Sequence, residues 1–395
     1  MAHVRGLSLC LIVLGTLLFP ALAPAAPVPA MTPPVTVVPS SGLPSQVHVD
    51  RSNANLSVTR FRGRVWMVFR TAKWQIADDN ARLYVVSSTD QTHWRFEGQF
   101  SYGRDLREPR LFVWRKRLFL YFALLGSNAA AFEPGGTLAT RWLSPGKWVK
   151  PRRILFDDFI PWAVKSHRGR AYMLGYTGGG GTYQPNPPPK YVYWLTTRDG
   201  WNWKPVDPAH KVVYTGQCGE TDFAFMPDGR LITACQTEEV DKLGWGAKVC
   251  TAPARATAVW TCRGDTRRLD SPFVFVYRGQ AYVIARRQPN FGGEYDLHAD
   301  AIPDTDAQFA LYDASYAATT KRCALWSIDA STRTFAPLVD VPRVGDTCYP
   351  SIIPRPGGRF LVYNYTSPLD GSDPPWGTAL TVGDTLIYRM TLQFP

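Results

Sequence analysis

The chain has 395 residues and a formal net charge of +12. Its 14 Trp, 18 Tyr, 32 Gly and 33 Pro favour many short strands joined by turns over long helices. The basic balance points to anionic partners such as acidic glycans or cell-surface polymers; Lys and Arg are spread without a dense block, and no nucleic-acid partner is expected.

The N-terminus has the pattern of a targeting segment. MAHVR is a short basic region, GLSLCLIVLGTLLFPALA is an apolar one, and Ala23-Pro24-Ala25 fits a small-x-small cleavage site. The apolar run is too short, and too interrupted by Pro20, for a spanning helix. The expected organisation is a signal peptide over 1–25, a Pro-rich linker over 26–45 and one domain over 46–395. The expected location is secreted or periplasmic, with no stable membrane insertion once the signal is removed.

From residue 56 onward one unit recurs: an apolar strand, a tight turn rich in Gly and basic residues, and a second apolar strand. The copies are LSVTRFRGRVWMVFR from Leu56, PRLFVWRKRLFLYF from Pro109, AVKSHRGRAYMLGY from Ala163, DFAFMPDGRLITAC from Asp222, PFVFVYRGQAYVIA from Pro272 and SIIPRPGGRFLVYNY from Ser351. Six hairpins at this period, each followed by outer strands, predict an all-β six-bladed β-propeller. The chain ends in TLIYRMTLQF, a strand with no hairpin after it. An N-terminal strand is therefore expected to complete the last blade and close the ring, which removes exposed edges.

Between the hairpins lie turns in which an Asp side chain can bond backbone amides while Trp packs between blades. They are STDQTHW (88–94), TRDGWNW (197–203) and a degenerate Ser327-Ile328-Asp329. Cys10 leaves with the signal. The six remaining cysteines predict three disulfides. Cys250 and Cys262 flank a turn nearly symmetrically and form the first pair; Cys218–Cys235 and Cys323–Cys348 follow by elimination.

In a propeller the first strand of each blade lines the axis, so the segments leading into those strands gather on one face. Here they are RSNAN (51–55), RDLREPR (104–110), DDFIPW (157–162), CGETD (218–222), RRLDSP (267–272) and GDTCYP (345–350). Five of the six carry a carboxylate, and several add Arg, Trp or Tyr. Carboxylates that act as acid, base or nucleophile, beside aromatic rings that stack on sugars, predict a glycan site. Solvated loop ends are the alternative for any one of them.

Together the hairpins, the Asp turns, DLREP (105–109), Glu220-Thr221 and GDTCYP resemble the sialidase-like superfamily of Asp-box propellers over nearly the whole chain. The resemblance implies a Tyr nucleophile assisted by Glu, falling on Tyr349 and Glu220, with Asp79 or Asp78 as general acid. Arg107, Glu108, Trp162, Asp270, Arg287 and Asp346 would shape the sugar subsite. The family's substrate-carboxylate clamp of three arginines is incomplete. Asn53 and Asn55 stand at the first position, with Arg51 nearby, and Gln236 stands at the second; Arg286 or Arg287 fits the third. The expected activity is that of a secreted glycoside hydrolase acting on terminal sugars, with no cofactor and no metal. A non-catalytic glycan-binding propeller is one alternative. Another is a furanosidase-like enzyme using Glu108 and Glu220, since REPRLF resembles the Arg-Asp-Pro motif of five-bladed furanosidases. Asp296, His298 and Asp300 share one face if extended and could hold a cation, or belong to a solvated insertion.

Overall fold

The structure, a computed structural model, describes residues 26–395 apart from 129–130 and 185–186. The expected signal segment lies outside the described residues. Six antiparallel sheets of four or five strands are arranged in a ring. The innermost strands, in blade order, are Ser52–Phe61, Leu106–Trp114, Ile160–His167, Cys218–Phe225, Asp270–Tyr277 and Ser351–Arg355. Each pairs with the strand that follows it, as the repeated hairpins predict.

Alternation explains why the second strands are apolar on both faces. In Arg64–Ala72, Trp66 and Val68 pack toward blade two, while Val65, Met67 and Phe69 pack toward blade six. In Arg117–Leu124, Leu118, Leu120 and Phe122 join the blade-one side, and Phe119 and Tyr121 face blade three. The core is thus a series of wedges between neighbouring blades, and both faces of a strand must be apolar.

In the three Asp turns the carboxylate accepts from backbone amides of its own turn. Asp90 Oδ1 accepts from the amides of Thr92 and His93, and Asp199 Oδ1 from those of Trp201 and Asn202. Asp329 does the same for Ser331 and Thr332. Trp94 meets Tyr363 of blade six, and Trp201 and Trp203 meet Phe119 and Tyr121 of blade two. All three disulfides pair as expected: Cys218–Cys235, Cys250–Cys262 and Cys323–Cys348.

The ring closes with the N-terminal region. Val35–Val38 and Ala30–Met31 both pair antiparallel with the last strand, Leu386–Gln393. The Pro-rich stretch therefore contributes strands to blade six and is not only a tether. The connections between second and third strands all emerge on one face. They include 125–136, 178–189, 288–321 and 367–385, far longer than the short turns of the opposite face. Two carry helices, α1 (Thr305–Ala317) and α2 (Trp376–Val382). Asp304 caps α1 by accepting from the Asp306 amide. Among the described residues, no helix is long and apolar enough to cross a membrane.

Candidate functional site

Each inner strand is interrupted where it leaves this long-loop face. Its pairing with the second strand skips between Ala54 and Ser57, Arg107 and Arg110, Pro161 and Ala163, Cys218 and Thr221, and Asp270 and Phe273. In blade six, Thr347 bridges Thr366 while Ser351 pairs with Tyr363, which leaves Tyr349 in the equivalent gap. A bulge re-aims side chains out of the ladder. Here the six bulges carry Asn55, Glu108, Trp162, Glu220, Ser271 and Tyr349. Asn55, Glu108 and Ser271 take positive φ (41°, 51° and 52°), a region that non-glycine residues rarely occupy. The charge in the lead-in segments is therefore delivered to the axis at one height.

The bulged residues interlock there. The Tyr349 hydroxyl donates to Glu108 Oε2. The ring of Trp162 meets Tyr349 edge-on at 5.6 Å, and the Arg110 guanidinium lies over both, 4.8 and 4.9 Å from their centroids. Glu220 Oε2 accepts from the Ser271 amide at 2.6 Å. Above this layer is a funnel of about 200 Å³, and below it an axial channel of about 530 Å³; Tyr349 and Ser271 line both.

Three sets of charges wall the funnel. Asp105, fully buried, accepts from Arg70 at 2.8 Å and Arg107 at 2.6 Å. Arg268 donates to Asp270 at 2.8 Å, Glu238 at 3.0 Å and Asp313 of α1 at 3.1 Å. Arg286 donates to Tyr365 and the Thr347 carbonyl, with Asp270 and Asp346 each 3.7 Å away. Every one of these arginines already has a carboxylate of the protein. Phe132, Tyr183 and Trp376 add aromatic rings at the rim, and Tyr183 is exposed.

Glu108 and Glu220 are largely buried and close enough to feel each other's charge. Burial, followed by Glu108 and Asp270, pushes Glu220 up to about 8. Burial raises Glu108 as well, against the pull of Arg110. The negative charge of Glu108 is thus one of the causes that hold the proton on Glu220. Asp270 behaves differently. Burial would raise it, but Arg268 and Arg286 together hold it below its ordinary range. Burial keeps the Tyr349 phenol protonated far into the alkaline range.

The structure brings together Glu220, Tyr349, Arg107, Glu108 and Asp270 as expected of a single site. It differs from the expectations in five details. Tyr349 is hydrogen-bonded to Glu108, not to Glu220, because those two bulges meet across the axis. Asp78 turns inward to accept from the amides of Lys73, Trp74 and Asn80. Asp79 is exposed and bonds Asn80, so the funnel wall in this loop is Gln75, Ile76 and Ala77. Arg286 faces the funnel, whereas Arg287, one residue on and so on the other face of the strand, pairs with Asp340 at 3.0 Å. Trp162 lines the channel below the site, and Asp346 is buried behind Tyr365 and Trp376.

Residues not anticipated are Arg268, Glu238, Tyr183, Tyr365, Tyr316 and Trp376. Tyr316 donates to Asp270 at 2.5 Å from α1. Its spacing with Tyr312, four apart in TDAQFALYDASYA, is a one-face helical signal that could have found it. Among the described residues no cluster of three or more His, Cys, Asp or Glu side chains is disposed to hold a metal ion. The Asp296 carboxylate instead accepts from the His298 amide.

No family model matches the chain, and no curated protein matches it in sequence. Solved structures do match in fold. A protein of unknown function from Dyadobacter fermentans superposes with a TM-score of 0.60 at 14% identity, covering 88% of this chain and 98% of that one. A Trypanosoma rangeli sialidase in complex with sialic acid gives 0.54 at 12%, covering 92% and 59%. The NanB sialidase of Streptococcus pneumoniae gives 0.53 at 9%, covering 87% and 68%. The chain thus spans 59% of the length of the trypanosomal enzyme, and the fold it shares with these structures is the sialidase-like six-bladed propeller.

Proposed function

We propose that the protein is an exported glycoside hydrolase that removes one terminal sugar unit from a glycan bound in the funnel. The observation that carries this reading is a pair of largely buried carboxyl groups in one funnel, Glu108, which accepts from the Tyr349 hydroxyl, and Glu220, which burial and neighbouring negative charge hold protonated. The funnel, at about 200 Å³, is smaller than the ~300–1,000 Å³ usual for larger ligands, which suits a single ring. Asp270, Arg107 and the rim aromatics would hold that ring, and the disulfides are compatible with an oxidising, extracytoplasmic compartment.

In this mechanism Tyr349 attacks the anomeric carbon while its phenolic proton passes to Glu108. Glu220, protonated near neutrality, gives its proton to the departing glycosidic oxygen. Water then attacks the tyrosyl–sugar bond, Glu220 takes the water's proton, and Glu108 returns one to Tyr349. Both carboxyls end as they began. A furanosidase-type reading with Glu108 and Glu220 alone is disfavoured, because that resemblance is to five blades and this ring has six.

The second reading is a glycan-binding propeller without catalysis. It is favoured by the engagement of Arg107, Arg268 and Arg286 with the protein's own carboxylates, which leaves the clamp for an acidic sugar incomplete. The deciding experiment incubates the protein and its Glu220→Gln variant with a mixed pool of sialylated and neutral glycans, and profiles products by mass. A monosaccharide released by the wild type alone supports hydrolysis. Retention on a glycan array without product from either protein supports the binding module.

A further inference from the structure

The six inner hairpins place their turns on the face opposite the funnel, because all six inner strands run in the same direction. Each turn is basic. The exposed residues are Arg62 in blade one, Arg117 in two, Arg170 in three, Arg230 in four, Arg278 in five and Arg359 in six. Arg60, Lys116 and Arg168 add to the same ring. The axial channel runs down to it: its lining ends at Thr59, Val113, His167, Phe225, Val276 and Pro354, each within a few residues of one of these turns. Charges dispersed along the sequence are thereby collected around one mouth.

Most of the ring lacks counter-charges. Asp228 pairs with Arg230 at 2.6 Å. Among the described residues, no Asp or Glu carboxylate lies within ion-pair distance of Arg62, Arg117, Arg170 or Arg359. Like charges crowd at the junction of blades six and one, where burial first, then Arg60 and Arg359, lowers the proton affinity of Arg355. Some heads are held in place. Arg62 lies 5.2 and 5.1 Å from the ring centroids of Phe61 and Trp142, and Arg278 donates to the Pro395 carbonyl at 2.8 Å.

We infer that this face docks an anionic polysaccharide, leaving the funnel on the far side free. Guanidinium groups present paired donors that fit sulfate and carboxylate oxygens, and a polyanion laid across the ring would relieve its self-repulsion. A lipid surface fits less well, since none of the large exposed apolar side chains lies in these turns to enter hydrocarbon. Single-stranded nucleic acid needs exposed aromatic platforms, whereas Phe61 and Trp114 beside the turns are buried. Duplex recognition needs an element that enters a groove, and these are short, flat turns.

The test measures binding of fluorescent dextran sulfate by anisotropy, with uncharged dextran, duplex DNA and phosphatidylglycerol vesicles as parallel arms. Dextran sulfate should bind and be released by salt, and uncharged dextran should not bind. The combined variant Arg117→Gln, Arg170→Gln, Arg278→Gln should bind dextran sulfate about 10-fold more weakly or worse, by loss of the ion contacts that dominate polyanion affinity, with an unchanged thermal melt. Removing three exposed lysines off this face (Lys73, Lys150 and Lys211) should change binding less than about 2-fold on the same argument. Equal loss from both sets would overturn the proposal. So would vesicles or DNA binding more tightly than dextran sulfate, or dextran sulfate failing to bind the wild type.

Discussion

Tyr349 of blade six and Glu108 of blade two meet across the propeller axis, hydroxyl to carboxylate, although 241 residues separate them. Neither would reach the other from a regular strand; both stand in bulges. Replacing Tyr349 with Phe removes the nucleophile and the hydrogen bond to Glu108 while keeping the ring against Trp162. Turnover should fall by at least about 10²-fold, with a change in stability of about 1–2 kcal/mol. Product release by the two proteins, together with their denaturant midpoints, checks both statements.

The Glu108–Glu220 pair makes activity and stability depend on pH in a definite direction. Glu220 in the folded protein is raised to about 8, above its ordinary unfolded value near ~4.3. Between those values the folded state holds a proton that the unfolded state has lost, so this group's contribution to stability declines as pH rises through that window. Glu220→Gln has no such proton to lose. Its melting temperature relative to wild type should therefore rise from pH ~5 to pH ~8. Wild-type turnover should fall on the alkaline side as the general acid ionises. A melting difference that stays flat across this range would contradict the assignment.

Arg268 is 2% exposed and holds Asp270, Glu238 and Asp313 at once. Arg268→Ala would strip buried Asp270 and Glu238 of their hydrogen-bonded cation and should cost about 3–5 kcal/mol. Arg268→Lys keeps the charge but cannot reproduce the three-way fork, so it should recover part of that loss. Urea unfolding of the three proteins ranks them.

Cys218 and Cys235 join the two inner strands of blade four on either side of the bulge that carries Glu220. Replacing both with Ala should lower stability by about 3 kcal/mol, as expected for a loop of this length. It should also reduce kcat more than KM, because the loosened bulge misplaces the acid without removing the walls that hold the sugar. Steady-state kinetics on a released chromophore would separate the two parameters.

The blades were legible because each hairpin repeats its own evidence, a turn between two apolar runs, and three of the six are followed by an Asp motif. The closing strand was legible from its absence, since TLIYRMTLQF needed a partner. The Cys250–Cys262 pair followed from symmetry about a turn. The site was legible only to the level of segments. The strand Gln280–Arg287 is buried on both faces, so its apolar pattern alone does not say which of Arg286 and Arg287 faces the funnel. Glu108 and Glu220 both appeared in charged lead-ins, but which one meets Tyr349 depends on distances across the axis. Asp78 was misplaced for a local reason, because Asp side chains readily bond the amides of their own turn. The contribution of α1 was hidden by a polar insertion, EYDLHADAIPDTD, that precedes it.

The pairing of Val35 with Arg389 and of Thr36 with Tyr388 has a temporal side. Residues near the start of the chain find their partners only after the last blade exists, and contacts of such sequence separation form slowly. Until then blade six presents a bare strand edge able to recruit another chain. Ring closure is thus the natural checkpoint of maturation. Dilute refolding should favour the monomeric ring, while crowded refolding should divert molecules into strand-exchanged assemblies through this seam.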